Sequence, residues 1–215
     1  MLISFEGLDG SGKTTQIERL AARLEDAGRT VVRVREPGGT ALSEAVRGLL
    51  LDPAYHVTPR AELLLFSAAR AQVCEEIIRP ALAAGAIVLC DRFFDSTTAY
   101  QGGGRSVAPE LWLEGFQANF VTDGLIPDRT YLFYLPPDVA AARRGHRAED
   151  RMEQAGTAFF TRVAGAYEAI ALRHPDRVLT LDATLPPEAL EQIVWADLDA
   201  RLSPILQRPR TGTGV

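Results

Sequence analysis

Short apolar segments and longer amphipathic segments alternate along the chain. The short ones have the length of buried strands and predict a sheet from residues 2–6, 30–35, 86–90, 130–135 and 177–181. Elsewhere, apolar residues recur at three- and four-residue spacing, which predicts helices over residues 17–27, 40–51, 60–84, 109–121, 138–144, 157–173 and 187–201, with a helical piece from about residue 95. Such alternation is typical of an α/β protein. We therefore predict a five-stranded parallel sheet with helices on both faces.

Three segments carry neither pattern. Residues 102–104 are glycines and predict a loop, and residues 143–153 predict a charged loop. Residues 203–215 are rich in proline, glycine and threonine, which favours a disordered tail. Because 215 residues suffice to bury one sizeable core, we expect one domain over residues 1–202.

The stretch between the first predicted strand and helix matches G-x-x-x-x-G-K-[ST] at every fixed position. Glycines there allow backbone N–H groups at the start of a helix to turn toward one anion. The motif predicts a P-loop NTPase fold. The residues expected to hold the nucleoside triphosphate are Gly7, Leu8, Asp9, Gly10, Ser11, Gly12, Lys13, Thr14 and Thr15.

Composition singles out Lys13, because it is the only lysine among the 23 Lys and Arg residues. A compact ammonium fits a phosphate cradle that is too tight for a guanidinium, so Lys13 is expected to reach the β- and γ-phosphates. The Thr14 hydroxyl would hold Mg²⁺. Asp91 ends a buried apolar strand, where P-loop proteins place a second Mg²⁺-binding carboxylate. The alternative for Asp91 is a helix cap.

Charge and hydropathy argue against a nucleic-acid-binding protein and against a membrane-spanning protein. A net charge of −5 argues against nonspecific nucleic-acid binding. No apolar segment approaches the length of a membrane span, and no basic leader precedes the first strand. We expect a cytoplasmic protein without a membrane or nucleic-acid partner, in which Cys74 and Cys90 are buried thiols.

Polar residues follow three predicted strands, at Asp9, at residues 35–36 and at residues 91–92. Ligands of parallel sheets bind beyond these carboxyl ends. Arg92, Ser96 and Tyr100 repeat at four-residue spacing and would share one helical face. That face could hold an anion at one end and a sugar or base at the other.

Phe66 and Arg70 form a similar pair on the long helix that begins near Pro59. An aromatic ring beside a guanidinium suits a nucleobase, through stacking and hydrogen bonds to carbonyl oxygens. By itself, Phe66 fits core packing as well.

Five segments resemble the bacterial thymidylate kinases: residues 5–15 (FEGLDGSGKTT), 35–40 (REPGGT), 65–70 (LFSAAR), 91–96 (DR with Ser96) and 99–105 (AYQGGGR). The resemblance implies a nucleoside monophosphate kinase-like fold. It also implies transfer of the γ-phosphate of ATP to dTMP, with Mg²⁺, by a homodimer.

Position by position, the resemblance implies that Asp9 contacts the deoxyribose 3′-hydroxyl and that Arg92 contacts the acceptor phosphate. Phe66 would stack on thymine, and Arg70 would bond a thymine carbonyl. Tyr100 would crowd the 2′ position and disfavour ribonucleotides. The remaining implied substrate residues are Glu36, Pro37, Ser96, Thr97 and Gln101.

The charged loop carries four arginines within nine residues, 143–151. Such a run is usually solvated, but a phosphoryl-transfer enzyme needs an arginine at the γ-phosphate and the P-loop has none. In the resembling family, members without a basic residue at the position of Ser11 supply it from a lid. We therefore expect a lid at about 143–153, with Arg147 or Arg151 at the transferred phosphoryl group and Arg143 on the ATP side.

Three other functions are alternatives to this one. A kinase for another nucleoside monophosphate stays open, and Phe66, Arg70 and Tyr100 are the residues that separate the two. A GTP-dependent switch would need an N/T-K-x-D motif, which a chain with only Lys13 lacks. A DNA-linked ATPase is disfavoured by the acidic net charge.

Overall fold

The computed structural model describes residues 1–145 and 150–206. Its strands form one sheet in the order β2-β3-β1-β4-β5, with every neighbouring pair parallel. This confirms the predicted five-stranded parallel sheet. The strands are β1 (Leu2–Glu6), β2 (Val31–Arg35), β3 (Ile87–Asp91), β4 (Arg129–Tyr134) and β5 (Val178–Asp182).

The helices follow the predicted order. They are α1 (Lys13–Asp26), α2 (Ala41–Leu51), α3 (Pro59–Val73), α4 (Arg79–Ala83), α5 (Phe94–Thr97), α6 (Glu110–Phe116), α7 (Pro137–Arg144), α8 (Thr157–Arg173) and α9 (Pro187–Leu206). Wider π-helical turns continue α3, α5 and α6 over Cys74–Ile78, Thr98–Gly104 and Gln117–Val121, and a short 3₁₀-helix spans Glu153–Ala155.

Side chains of β3 alternate between two apolar layers, because successive residues of a strand point to opposite faces. Ile87 and Leu89 belong to a large cluster with residues of α1, α8 and α9. Val88 and Cys90 belong to a second cluster with Val73 and Ile78. The sheet is therefore covered on both faces.

The loop predicted at residues 102–104 is wrong, because these glycines belong to the π-helical segment Thr98–Gly104. A Cβ atom on Gly103 would lie 2.5 Å from the Ala166 Cβ atom, and one on Gly104 would overlap the Phe159 ring. The glycines thus allow this segment to pack directly on α8.

The last helix is longer than predicted, and residues 203–206 are helical although a tail was expected from residue 203. Leu198 and Leu202 of this helix are buried, so its last turns are anchored in the core. Residues 207–215 of the expected tail lie outside the described part of the chain. Among the described helices, none combines the length and the apolar character needed to cross a membrane.

Candidate functional site

The carboxyl ends of β2, β3 and β1 reach the same level of the sheet. Arg35 pairs with Asp91, and Asp91 pairs with Phe5. The segments that follow these strands therefore emerge side by side, which is where parallel sheets bind ligands.

The P-loop connects β1 to α1. Its backbone passes so close to β4 that a Cβ atom on Gly7 would overlap the Phe133 carbonyl oxygen, so only glycine fits there. Gly12 has a φ of 89° and precedes the first helical residue, Lys13. Thr15, the last residue predicted for this site, lies in the first turn of α1.

Lys13 is 5% exposed and points back into the P-loop. Its Nζ atom donates to the carbonyl oxygens of Gly7 at 3.2 Å and Leu8 at 2.9 Å, and lies 4.0 Å from Asp9 Oδ1. Burial, with the nearby Arg92 charge, lowers the pKa of Lys13 to about 8. Among the described residues, the buried Ser11 hydroxyl has no hydrogen-bond partner. An ammonium and an unpaired hydroxyl inside a glycine-rich turn fit a phosphate group.

A hydroxyl and a carboxylate meet at the mouth of the P-loop. Thr14 Oγ1 donates to Asp91 Oδ2 at 2.8 Å. In the described part of the chain, no three His, Cys, Asp or Glu side chains cluster as a metal site. Mg²⁺ needs no such cluster, because it is usually held by one or two protein oxygens, water and substrate phosphates. Thr14 and Asp91 fit that type of site.

A cavity of about 230 Å³ lies beside the P-loop and brings together every residue predicted for the acceptor. Those residues are Asp9, Glu36, Pro37, Phe66, Arg70, Arg92, Ser96, Thr97, Tyr100 and Gln101. The cavity also contains residues that sequence reasoning missed, namely Arg47, Leu51, Asp150, Met152 and Glu153.

Arg92 lies between the P-loop and this cavity. Its Nη2 atom donates to Asp9 Oδ1 at 2.8 Å and to the Tyr100 hydroxyl at 3.2 Å, and its Nη1 atom donates to Ser96 Oγ at 3.1 Å. Ser96 and Tyr100 therefore both contact the Arg92 guanidinium, but Arg92 precedes α5 and has a non-helical backbone, so the prediction that the three residues share one helical face is wrong. Arg92 has a φ of 73°, a strained conformation for a residue with a side chain. Such strain persists where surrounding contacts hold a functional group in place.

Glu6 lies beneath Arg92 and is fully buried. Its carboxylate accepts hydrogen bonds from the Phe93 backbone N–H at 2.7 Å, Ser96 Oγ at 2.6 Å and the Tyr167 hydroxyl at 2.8 Å. Burial, with the nearby Asp95 carboxylate, raises the pKa of Glu6 to about 7. Sequence reasoning did not assign Glu6. The feature that could have identified it is an acidic residue at the end of an apolar strand, because a charge buried there needs partners.

We expect Glu6→Gln to change how stability depends on pH. A raised pKa means that the folded state binds the proton more tightly than the unfolded state. Glu6 therefore stabilises the fold below its ordinary pKa of 4.5, and this contribution is lost as the pH rises to about 7. In urea unfolding between pH 5 and 8, wild-type stability should fall relative to Glu6→Gln by at most about 1.4 kcal/mol per pH unit, ending near pH 7. If the free energies of unfolding of the wild type and Glu6→Gln change in parallel with pH, the raised pKa of Glu6 is contradicted.

Arg70 and Glu36 form a buried ion pair at the far side of the cavity. Arg70 donates from Nε to Glu36 Oε2 at 2.7 Å, from Nη1 to Thr97 Oγ1 at 2.6 Å and Gln117 Oε1 at 2.8 Å, and from Nη2 to the Phe93 carbonyl at 3.1 Å. A guanidinium has five N–H donors, so one of those on Arg70 has no partner in the described part of the chain. Glu36 Oε1 is buried and has no partner among the described residues, and burial raises the Glu36 pKa. A donor and an acceptor side by side can bind the polar edge of a base.

The position of Phe66 agrees with both roles considered from the sequence, core packing and stacking on a base. It packs against the hydrophobic core and also lines the cavity. A ring held from behind by the core presents a fixed face for stacking.

The arginines of the predicted lid are only partly described. Arg143 donates to the Ala183 carbonyl oxygen at 2.9 Å. Arg151 pairs with Glu62 Oε2 at 2.7 Å. Neither lines the cavity, and Arg147 lies outside the described residues. Their assigned roles stay predictions.

Comparisons with known proteins agree with one another. A family model described as thymidylate kinase matches residues 5–194. The thymidylate kinase of Chlorobium chlorochromatii is 47% identical over 214 residues, covering 94% of this chain and 96% of the relative. The thymidylate kinase of Pseudomonas putida strain W619 is 50% identical over 212 residues, covering 98% of this chain and 100% of the relative. The crystal structure of thymidylate kinase from Ehrlichia chaffeensis superposes with a TM-score of 0.75 at 35% identity, covering 93% of this chain and 98% of that one.

Proposed function

The chain belongs to the thymidylate kinase family, and on that premise we propose that it transfers the γ-phosphate of ATP to dTMP, giving ADP and dTDP. The observation that carries this proposal is the contact between Arg92 and Asp9. Asp9 belongs to the P-loop and also lines the cavity, so a nucleotide in the cavity would present its phosphate to one held in the P-loop.

The P-loop is the site proposed for ATP. The backbone of residues 7–15 would surround the phosphates, and the Lys13 ammonium would contact the β- and γ-phosphates. The free Ser11 hydroxyl supports this assignment, because it supplies an unused donor inside the loop. Arg143 is proposed on the ATP side of the lid.

The cavity is the site proposed for dTMP. Arg92 would bind its phosphate and Asp9 the 3′-hydroxyl, while Phe66 stacks on thymine. The remaining N–H of Arg70 would donate to a thymine carbonyl. Tyr100 would crowd the 2′ position, and the site would be completed by other residues that line the cavity, namely Glu36, Pro37, Ser96, Thr97 and Gln101.

Phosphoryl transfer in this arrangement needs no side chain that acts as a general base. The acceptor phosphate has a second pKa near 6, so the attacking oxygen carries no proton at neutral pH. The protein's task is to align two anions and to offset their repulsion. Lys13 and Arg92 supply positive charge on the two sides of the transferred group.

Thr14 and Asp91 are the residues proposed to hold Mg²⁺, which supplies charge neutralisation at the β- and γ-phosphate oxygens when bound. Their hydroxyl and carboxylate oxygens are the ligand types this ion prefers. Arg147 or Arg151 is proposed as the lid arginine at the transferred phosphoryl group.

The protein is also proposed to be a cytoplasmic homodimer. Trp112, Phe116 and Phe120 stack in a row, with ring centroids 5.2 and 5.6 Å apart. Trp112 is 56% exposed and Phe120 is 78% exposed. An exposed aromatic row suits an interface with a second copy. A cytoplasmic location agrees with Cys74 and Cys90 being free thiols.

We expect dTMP to be among the best acceptors when ADP release is followed with ATP and a panel of ribo- and deoxynucleoside monophosphates. The kcat/KM for dTMP should exceed that for the purine nucleotides by at least about a hundredfold, because a purine presents a different hydrogen-bonding edge to Arg70 and leaves buried polar groups unpaired. Thymidine serves as a control, since it lacks the phosphate that Arg92 binds. If a purine nucleotide proves to be the best acceptor, that nucleotide and not dTMP is the substrate.

A further inference from the structure

We propose that Glu62 is a positioning residue that holds both Gln101 and the segment of residues 150–155 around the acceptor cavity. The inference rests on the proposed dTMP site. It assigns a role to a buried carboxylate that does not itself line the cavity.

Glu62 lies in the first turn of α3 and is fully buried. Its Oε1 atom accepts from Gln101 Nε2 at 2.9 Å and Arg105 Nε at 3.2 Å. Its Oε2 atom accepts from Arg151 Nη1 at 2.7 Å and Arg105 Nη2 at 3.3 Å. One buried negative charge therefore joins three residues that are distant from it in sequence. Charged groups at such a site depend on one another, because removing one leaves an uncompensated charge.

The contact with Glu62 sets the orientation of the Gln101 amide. Gln101 is 2% exposed and lines the cavity. Because its Nε2 atom donates to a carboxylate, the amide nitrogen must face Glu62. Without that acceptor the amide is free to rotate by half a turn, which exchanges a donor and an acceptor. The hydrogen-bonding pattern offered to a base would change with it.

The contact with Arg151 positions one wall of the cavity. Arg151 also donates from Nε to the Leu50 carbonyl oxygen at 2.7 Å and from its backbone N–H to the Leu51 carbonyl oxygen at 3.2 Å. These bonds fix the chain next to Asp150, Met152 and Glu153, all of which line the cavity.

The wall itself is a compact capped turn. Asp150 Oδ1 accepts from the backbone N–H groups of Met152 at 2.8 Å and Glu153 at 2.9 Å, and Glu153 Oε2 accepts from the Asp150 N–H at 3.1 Å. A reciprocal cap of this kind moves as one unit. Holding Arg151 therefore holds the whole segment.

Glu62 makes no hydrogen bond to any described P-loop residue, so its loss should affect the acceptor more than ATP. We expect Glu62→Gln to raise the KM for dTMP about tenfold, the effect of one displaced hydrogen-bonding group, with the KM for ATP within about twofold. The preference for dTMP over dCMP should fall about tenfold, because these bases differ at the edge that an amide contacts. Steady-state kinetics with both acceptors measures this.

Glu114→Gln is the matched control. Glu114 is a largely buried carboxylate that pairs with Arg173 and with His174 at 3.0 Å, but it does not line the acceptor cavity. The Glu114→Gln variant should have a lower melting temperature, with the KM for dTMP and the preference between bases unchanged. A purely structural role for Glu62 would give the same result as this control and would overturn the proposal.

Arg151→Gln tests the same link from the other side and replaces Glu62→Gln if that variant does not fold. We expect a similar rise in KM for dTMP. A thousandfold loss of kcat at unchanged KM would instead place Arg151 on the transferred phosphoryl group and overturn the positioning role. If the wild type does not phosphorylate dTMP, the proposed function fails. If it does and both variants match it, this inference alone fails.

Discussion

Replacing Lys13 with methionine is expected to lower kcat by about a thousandfold, the scale seen when a buried charge that stabilises a transition state is removed. Methionine preserves most of the side-chain length and volume. Burial, with the nearby Arg92 charge, lowers the pKa of Lys13 to about 8, so the buried ammonium costs stability and its loss should leave the fold intact. ADP release at saturating dTMP measures kcat, and thermal unfolding checks the fold.

Lys13→Arg is the control that separates charge from shape. The Lys13 ammonium lies within 3.2 Å of two P-loop carbonyl oxygens, and a planar guanidinium is larger than the ammonium that these contacts hold. We expect this variant to be nearly as inactive as Lys13→Met although the charge is kept. Activity of Lys13→Met within tenfold of the wild type would refute the assignment of the P-loop as the ATP site.

The second large effect is expected from Arg92→Gly, which should raise the KM for dTMP about a hundredfold and the KM for ATP less than about threefold. Charge-assisted hydrogen bonds to a phosphate contribute about 1.5–3 kcal/mol each, so losing the guanidinium accounts for this size. Glycine is chosen because Arg92 has a φ of 73°. It relieves backbone strain while removing the side chain, so a loss of stability does not explain the result.

Arg92→Lys keeps the charge but loses the forked geometry that contacts Asp9, Ser96 and Tyr100 together. We expect an intermediate KM for dTMP in this variant. The two KM values are measured by varying one substrate at saturation of the other. If the KM for ATP rises more than that for dTMP, Arg92 belongs to the donor site.

Local sequence patterns were sufficient for the P-loop and for the order of strands and helices. A glycine-rich turn between a strand and a helix needs only neighbouring residues to form, and Lys13 and Thr14 lie within it. Asp91 could be predicted from local sequence for the same reason, since it ends an apolar strand. Four-residue spacing already indicated a nucleotide site at Arg92, Phe66 and Arg70, and the motifs of the resembling family supplied other residues proposed for the acceptor.

Glu62 shows what such patterns miss. In the sequence it is an acidic residue in the first turn of a helix, where it suits the helix dipole and would ordinarily be solvated. Its partners Gln101, Arg105 and Arg151 come from other segments, so their meeting depends on packing. The glycines at 102–104 were misread for a related reason, because close contact with α8 is invisible from neighbouring residues.

The sequence by itself determined the fold class, the P-loop and the residue types that line the cavity proposed for the acceptor. Only the tertiary structure decided which charges are buried together. It placed Glu6 beneath Arg92, paired Arg70 with Glu36 and joined Glu62 to the cavity wall. The physical reason is range: strand, helix and turn preferences act over a few residues, whereas the partners of a buried charge are set by whichever distant segments pack against it.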